Sequence, residues 1–370
     1  MSGLRNWGES PWRGLEVPTR PTENSSPEVA IIGGGLTGIS AAYHLTKRGV
    51  RTVLVEAQQL GDGASGRTGG IVLEGTARGI LEGTGGCIAA LEQLVKENRI
   101  DCDLNIPGCW EIEHRDAPPG DALPWRDNGQ GIRVARTVPG GIVEPAALLT
   151  GLALAAVKTG AIMHESAEVR RLVASPQPAL ELDGVVIRPR VAVVAANAWT
   201  NSLLSGVRPV NSALTFACAT EPLDRSTLDE IGLGRRIPFY TADMPYLWGR
   251  TCWNGQAIFG AGLIFGSPQE LAGLDISIGE ARSVMARLEG RVRRLHPALS
   301  EVRLSHQWAG PIAIPERFVP LLGRLPGAPT IFLAGGYSGH GVALGLWMGR
   351  LIAQAIVDGD PFPGWATVSP

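Results

Sequence analysis

Short, wholly apolar runs alternate with amphipathic stretches over much of the chain. Val29, Ala30, Ile31 and Ile32 form a β-branched run that stops at Gly33, Gly34 and Gly35. That is the pattern of a strand buried on both faces of a parallel sheet. Residues 39–47 put Ile39, Ala42 and Leu45 on one face and predict a helix, with Gly49 placed to cap it. Residues 51–55 predict a second strand ending at Glu56, which completes a βαβ unit. Residues 191–195 and 330–334 are buried-type strands again, and 342–357 predict a long closing helix. Helices are also predicted over 87–97 and 144–158. Residues 169–173 and 180–187 alternate like half-buried strands around an Asp183-Gly184 turn. From 203 to 321 the style changes. Short alternating strands at 214–219, 246–252 and 257–261 predict an antiparallel sheet, interrupted by a helix over 279–295. Residues 116–131, rich in Pro, Gly and Asp, read as an excursion from the main sheet.

Parallel-type strands at the start, middle and end of the chain imply a discontinuous domain with another inserted into it. The expected fold is α/β and α+β: a Rossmann-type dinucleotide-binding domain from 27–84, 143–203 and 322–370, and an inserted antiparallel-sheet substrate domain from 85–142 and 204–321. Residues 1–26, polar and rich in Pro, Ser and Gly, read as an arm lying over the surface. A length of 370 residues suits two domains.

Composition narrows the partners. The net charge is −2, with 44% hydrophobic and 18% charged residues, so no global field draws the chain to nucleic acid or an anionic membrane. The longest apolar run, 342–353, is too short to span a bilayer and contains Arg350. The first 26 residues lack the basic start and apolar core of a secretion signal. The five cysteines are odd in number and contain no Cys-x-x-Cys pair, which reads as structural thiols in a reducing cytoplasm, with no metal site.

Gly33, Gly35 and Gly38 form a G-x-G-x-x-G sequence between the first strand and helix, and Glu56 ends the second strand. A glycine motif alone is a weak signal. Strand, helix and acidic residue in their proper places make it a dinucleotide-binding fingerprint. Gly33 permits the turn, Gly35 lets backbone N–H groups approach a pyrophosphate, and Gly38 lets helix meet strand. Two more glycine loops follow. Residues 61–70 carry Ser65, Gly66, Arg67, Thr68, Gly69 and Gly70, suited to a backbone passing along a diphosphate and ribityl chain, with a solvated loop as the lesser alternative. Residues 335–341 open the last helix, whose N-terminus is an anion-favouring site. His340 in that loop reads equally as a structural histidine.

In this order the segments resemble the FAD-dependent amine and amino-acid oxidoreductases of the D-amino-acid-oxidase/glycine-oxidase superfamily, and most of all its γ-glutamylputrescine-oxidase-like branch. The resemblance rests on the fingerprint, on residues 63–70 with Thr68 in place of Asn, on 194–199, on Trp308-Ala309-Gly310, and on 336–341. It implies that Gly33, Gly35, Gly38 and Glu56 bind the ADP half of FAD, with Leu36, Thr37 and Ala57 beside them and Val169 against the adenine. It places Ser65 to Gly70 on the path from diphosphate to isoalloxazine. Ala196, Trp199 and Gly310 stand beside the flavin, and Gly336, Tyr337, Ser338, Gly339, His340, Gly341 and Val342 reach its pyrimidine edge. Arg67, His340 and Arg250 are the candidate catalytic residues. Arg250 and Arg317 are the arginines that could pair with a substrate carboxylate, each reading equally as a surface residue. Tyr240, Tyr246 and Trp248 join Arg250 as pocket candidates, each with core packing as the alternative.

No histidine stands in the 61–70 loop and no cysteine follows Trp253, so the expected FAD is non-covalent. The activity implied is oxidation of a C–N bond in a small amine or amino acid by hydride transfer to flavin N5. The product is an imine and, with dioxygen, hydrogen peroxide. Three alternatives stand beside it: a dehydrogenase passing electrons to a quinone or carrier, a non-catalytic flavin-binding subunit, and an FAD monooxygenase, which shares the first βαβ unit but not the later loops.

Overall fold

The computed structural model describes residues 6–366 except 13, 15, 117–121, 175–176, 205–208 and 245. The first strand, Val29–Ile32, pairs in parallel with Thr52–Val55 on one side and Val191–Val194 on the other. Ala328–Gly335 and Ile162–His164 extend the sheet in parallel, and Leu321–Leu325 closes one edge antiparallel, giving six strands. The apolar runs are continuous because both faces are covered. Val29 and Ile31 pack with Ile39, Leu148 and Leu344, whereas Ala30 and Ile32 pack with Val169, Leu180 and Ile187. The helices Leu36–Thr46, Pro145–Lys158 and Gly341–Val357 lie on the first face, and a small sheet of 171–173, 179–181 and 186–187 covers the second. The helix Cys87–Asn98, set with the second domain in the sequence reading, buries Cys87, Ile88, Leu91 and Leu94 in this first core.

The second sheet has eight strands, ordered Leu304–Ile314, Asn211–Thr220, Ala257–Phe265, Trp248–Thr251, Phe239–Thr241, Cys109–His114, Gln130–Val138 and Ala122–Asp127. It is not wholly antiparallel as expected. Phe239–Thr241 runs parallel to Cys109–His114, two segments far apart in sequence. The supposed excursion at 116–131 contributes an edge hairpin to this sheet. The helix Gly279–Leu295 matches its expected bounds and buries Ala281, Val284, Met285, Leu288, Val292 and Leu295, an i, i+3, i+4 stripe. No helix among the described residues is long and apolar enough to cross a membrane.

The N-terminal arm departs from expectation. Trp7 is fully buried in the core of the second sheet, its indole N–H donating to Leu271 O at 3.0 Å. A surface arm was inferred from polar composition, and one tryptophan outweighs it through the apolar area it buries.

A charged cluster underlies the eight-stranded sheet. Arg291 Nε donates to both Asp127 oxygens at 3.0 Å, and Arg291 Nη1 to Tyr246 O at 2.6 Å. His114 Nε2 lies 2.7 Å from Asp127 Oδ2 and its Nδ1 lies 2.8 Å from Asp243 Oδ1. Burial works to raise Asp127, but hydrogen bonds from Arg291 and His114 outweigh it and hold the carboxyl below its ordinary range. A carboxyl depressed in the folded state stabilises the fold above the unfolded value and loses that contribution as pH falls. Arg291→Met, which strands Asp127 as a buried charge, is expected to cost about 3–5 kcal/mol in urea unfolding at neutral pH. Asp127→Asn should show a shallower loss of stability than the wild type below pH ~4.

Candidate active site

The first strand ends at Gly33, whose φ of +113° is closed to most side chains. A Cβ on Gly38 would lie 2.0 Å from Gly33 O, so the helix rests directly on the turn. Glu56 holds the loop from the neighbouring strand: Oε2 accepts the Gly34 N–H at 2.7 Å and Oε1 the Gln58 N–H at 3.0 Å. The Leu36 N–H, at the N-terminus of the helix, donates to Ser65 Oγ at 3.0 Å. The fingerprint and the second glycine loop are thereby joined.

In that second loop each nitrogen of the Arg67 guanidinium meets a protein oxygen. Nε donates to Asp62 O at 3.1 Å, Nη1 to Gly8 O at 3.0 Å and Ala309 O at 3.4 Å, and Nη2 pairs with Asp62 Oδ1 at 3.3 Å. Arg67 borders the cavity, yet its donors tie loop, arm and second sheet together. Arg250 does not border the cavity. It is 1% exposed and donates from Nη1 to Val143 O at 2.6 Å and Gly70 O at 3.2 Å, beneath the ring of Trp12. The expectation of a substrate-facing Arg250 is corrected: backbone carbonyls take up its charge. Arg317 is exposed.

The third loop follows Ala328–Gly335. Gly336, at φ +73°, donates its N–H to Asn197 Oδ1 at 3.1 Å. The Tyr337 hydroxyl lies 2.6 Å from Thr37 Oγ1, linking the third loop to the fingerprint helix. His340 sits with Nδ1 3.3 Å from Ser338 O, and burial lowers its pKa, leaving a neutral imidazole at pH 7. Ser338 Oγ is buried without a partner. The helix Gly341–Val357 begins without a side-chain cap, so its first N–H groups are open to a ligand.

A cavity of about 760 Å³ runs along all three loops. Gly33, Gly35, Leu36, Thr37, Glu56, Ala57 and Val169 line one part. Ser65, Arg67, Thr68, Gly69, Ala196, Trp199 and Gly310 line its middle, with Tyr337, Ser338, Gly339, His340, Gly341 and Val342 beside them. Gly38, Gly66, Gly70 and Gly336 stand behind the lining. Side chains there would strike backbone or packed neighbours: a Cβ on Gly66 would lie 2.7 Å from Gly61 O, and one on Gly70 2.3 Å from Val143 O. The second sheet adds Tyr240, Tyr246 and Trp248. The Trp248 ring is slotted between Gly69 and Gly260, where a Cβ on either would lie 2.1 Å from it. Tyr240 donates to Glu111 Oε2 at 2.8 Å.

The family model for FAD-dependent oxidoreductases of the DAO type matches residues 28–355. The chain belongs to the DAO family. Gamma-glutamylputrescine oxidoreductase of Escherichia coli (strain K12) is 25% identical, over 94% of this chain and 90% of the relative. Glycine oxidase of Geobacillus kaustophilus (strain HTA426) is 24% identical, over 89% and 92%. The solved glycine oxidase from Geobacillus kaustophilus shares the fold with a TM-score of 0.70 at 19% identity, over 89% of this chain and 94% of that one. L-amino acid deaminase from Proteus myxofaciens does so with a TM-score of 0.71 at 15% identity, over 97% of each.

The DAO-family cofactor is FAD, and the residues present fit it. The cavity lies within the size range of cofactor sites. It passes two helix N-termini whose N–H groups suit phosphate and the anion-prone edge of a flavin. Asn197, at φ +45°, braces the third loop, and Ser10, Trp12 and Trp308 brace the second. Asn197 and Trp308 lie in motifs that the sequence offers without showing this bracing role, whereas Ser10 and Trp12 carried no local signal. Gly35→Val should leave a folded protein without FAD, because its side chain would meet Ser65 Oγ and fill the phosphate approach. Flavin content of the purified variant, with circular dichroism as the folding check, measures this.

Proposed function

We propose that this protein oxidises the C–N bond of a small amine or amino acid, withdrawing hydride from the carbon that bears the nitrogen and leaving a protonated imine that water hydrolyses to a carbonyl compound and an ammonium. Bound FAD supplies the hydride acceptor at N5, and dioxygen as final acceptor would yield hydrogen peroxide. The observation that carries the reading is the single cavity joining the dinucleotide loops to the wall of Tyr240, Tyr246 and Trp248. Residues 27–84, 143–203 and 322–370 would hold FAD, and the eight-stranded sheet would close the substrate chamber. Two relatives, gamma-glutamylputrescine oxidoreductase and glycine oxidase, support the same class.

The side chains orient and exclude water rather than exchange protons. Burial and the Glu111 carboxylate both push the Tyr240 hydroxyl upward, so it stays protonated, donates to Glu111, and keeps oxygen lone pairs to accept a substrate N–H. Burial also keeps Tyr246 protonated and His340 neutral. Among the described lining residues the one histidine is His340 and there is no cysteine, which supports non-covalent FAD.

Anaerobic titration of the yellow protein with amines and amino acids should bleach the flavin band with at least one of them. A panel that leaves the band untouched rejects the reading, and oxygen uptake on turnover identifies an oxidase. Acid precipitation should release the flavin into the supernatant. Tyr240→Phe should raise KM roughly 2–10-fold, the worth of one hydrogen bond, with a smaller change in kcat.

A further inference from the structure

The segment 6–12 precedes the residues matched by the family model, 28–355, yet it touches the cofactor loop at every turn. Three consecutive carbonyls of that loop are held from outside. Ser10 Oγ donates to Gly66 O at 3.2 Å, Trp308 Nε1 to Arg67 O at 2.8 Å, and Trp12 Nε1 to Thr68 O at 2.9 Å. The guanidinium of Arg67 is held by the same segment, through Gly8 O and the face of Trp7 at 5.5 Å. Trp12 lies over Arg250, which binds Gly70 O. The segment is in turn fixed to the second sheet, where Trp7 O accepts the Ala309 N–H at 2.8 Å and Asn6 O the Ile276 N–H at 3.0 Å.

We propose that residues 6–12 are a strap whose Trp7 and Trp12 act as positioning residues for FAD, holding the 61–70 loop in the one conformation that accepts it. A run as rich in glycine as 61–70 has many backbone conformations in reach, and ordering it costs entropy at the moment of binding unless something has ordered it beforehand. A carbonyl engaged by the strap is also prevented from turning its lone pairs toward an anionic diphosphate. Both effects act on cofactor affinity and on the flavin's surroundings, not only on the fold.

Titration of apoprotein with FAD tests the strap, using Trp12→Ala, Trp12→Phe and Val292→Ala. Val292 is fully buried in the helix Gly279–Leu295, in the core that also receives Trp7, and its truncation serves as a control that loosens that core while leaving the bonds to the loop carbonyls in place. Trp12→Phe removes the donor to Thr68 O but keeps a ring over Arg250. The expected result is an FAD Kd raised about tenfold or more in Trp12→Ala and several-fold in Trp12→Phe, with shifted visible flavin bands in both. Val292→Ala should lower Tm with wild-type Kd and spectrum. Wild-type Kd and flavin bands in both Trp12 variants, alongside a lowered Tm, would make the segment a fold staple and overturn the proposal. Should Trp12→Ala fail to fold, Trp12→Phe and Ser10→Ala decide the matter by the same two readouts.

Discussion

The close approach of Gly38 to the Gly33 carbonyl governs the geometry of everything around the cavity. With no side chain between them, the helix Leu36–Thr46 leaves the sheet at once and points its N-terminus along the cavity. The last helix then packs on the first just as closely: a Cβ on Gly349 would lie 2.5 Å from Thr37 O, and one on Gly345 2.9 Å from Thr37 Oγ1. Two helix N-termini are thus brought to one cavity by backbone contact, and the Thr37–Tyr337 hydrogen bond fixes their relative position. A methyl group at any of these glycines would separate the two partial positive charges that an anionic cofactor meets.

Three arginines at and beneath the two sheets are held chiefly by oxygen atoms of segments distant in sequence. Arg291 answers Asp127 and the Tyr246 carbonyl, Arg250 the carbonyls of Gly70 and Val143, and Arg67 those of Asp62, Gly8 and Ala309. Arginine suits this because its planar fork serves several acceptors at once. The cavity walls are left mostly apolar or neutral.

The parts legible in the sequence are those set by local chemistry. The fingerprint, Glu56, the two later glycine loops and the buried strands each carry a pattern within a few residues, and the structure places them around one cavity. Side chains whose role depends on distant segments carried none. Arg250 reads as a pocket residue on its strand, but its guanidinium is drawn to Gly70 and Val143, more than a hundred residues away in sequence. Trp7 sits in a polar, glycine-containing stretch, and nothing local shows that it will enter a core built from residues 112–309. Strand direction was hidden for the same reason, since the parallel pairing of Phe239–Thr241 with Cys109–His114 depends on the path of the chain between them.

The slot that holds Trp248 is built from both sheets' segments at once. The ring projects from the second sheet, yet one wall of its slot is Gly69 of the cofactor loop and the other is Gly260 of the neighbouring strand. A side chain at Gly69 would strike the indole and reshape the cavity with no substitution in the second sheet. A displaced indole would in turn press on the loop that accompanies the flavin. The position of the 61–70 loop and the shape of the cavity are therefore coupled through this contact.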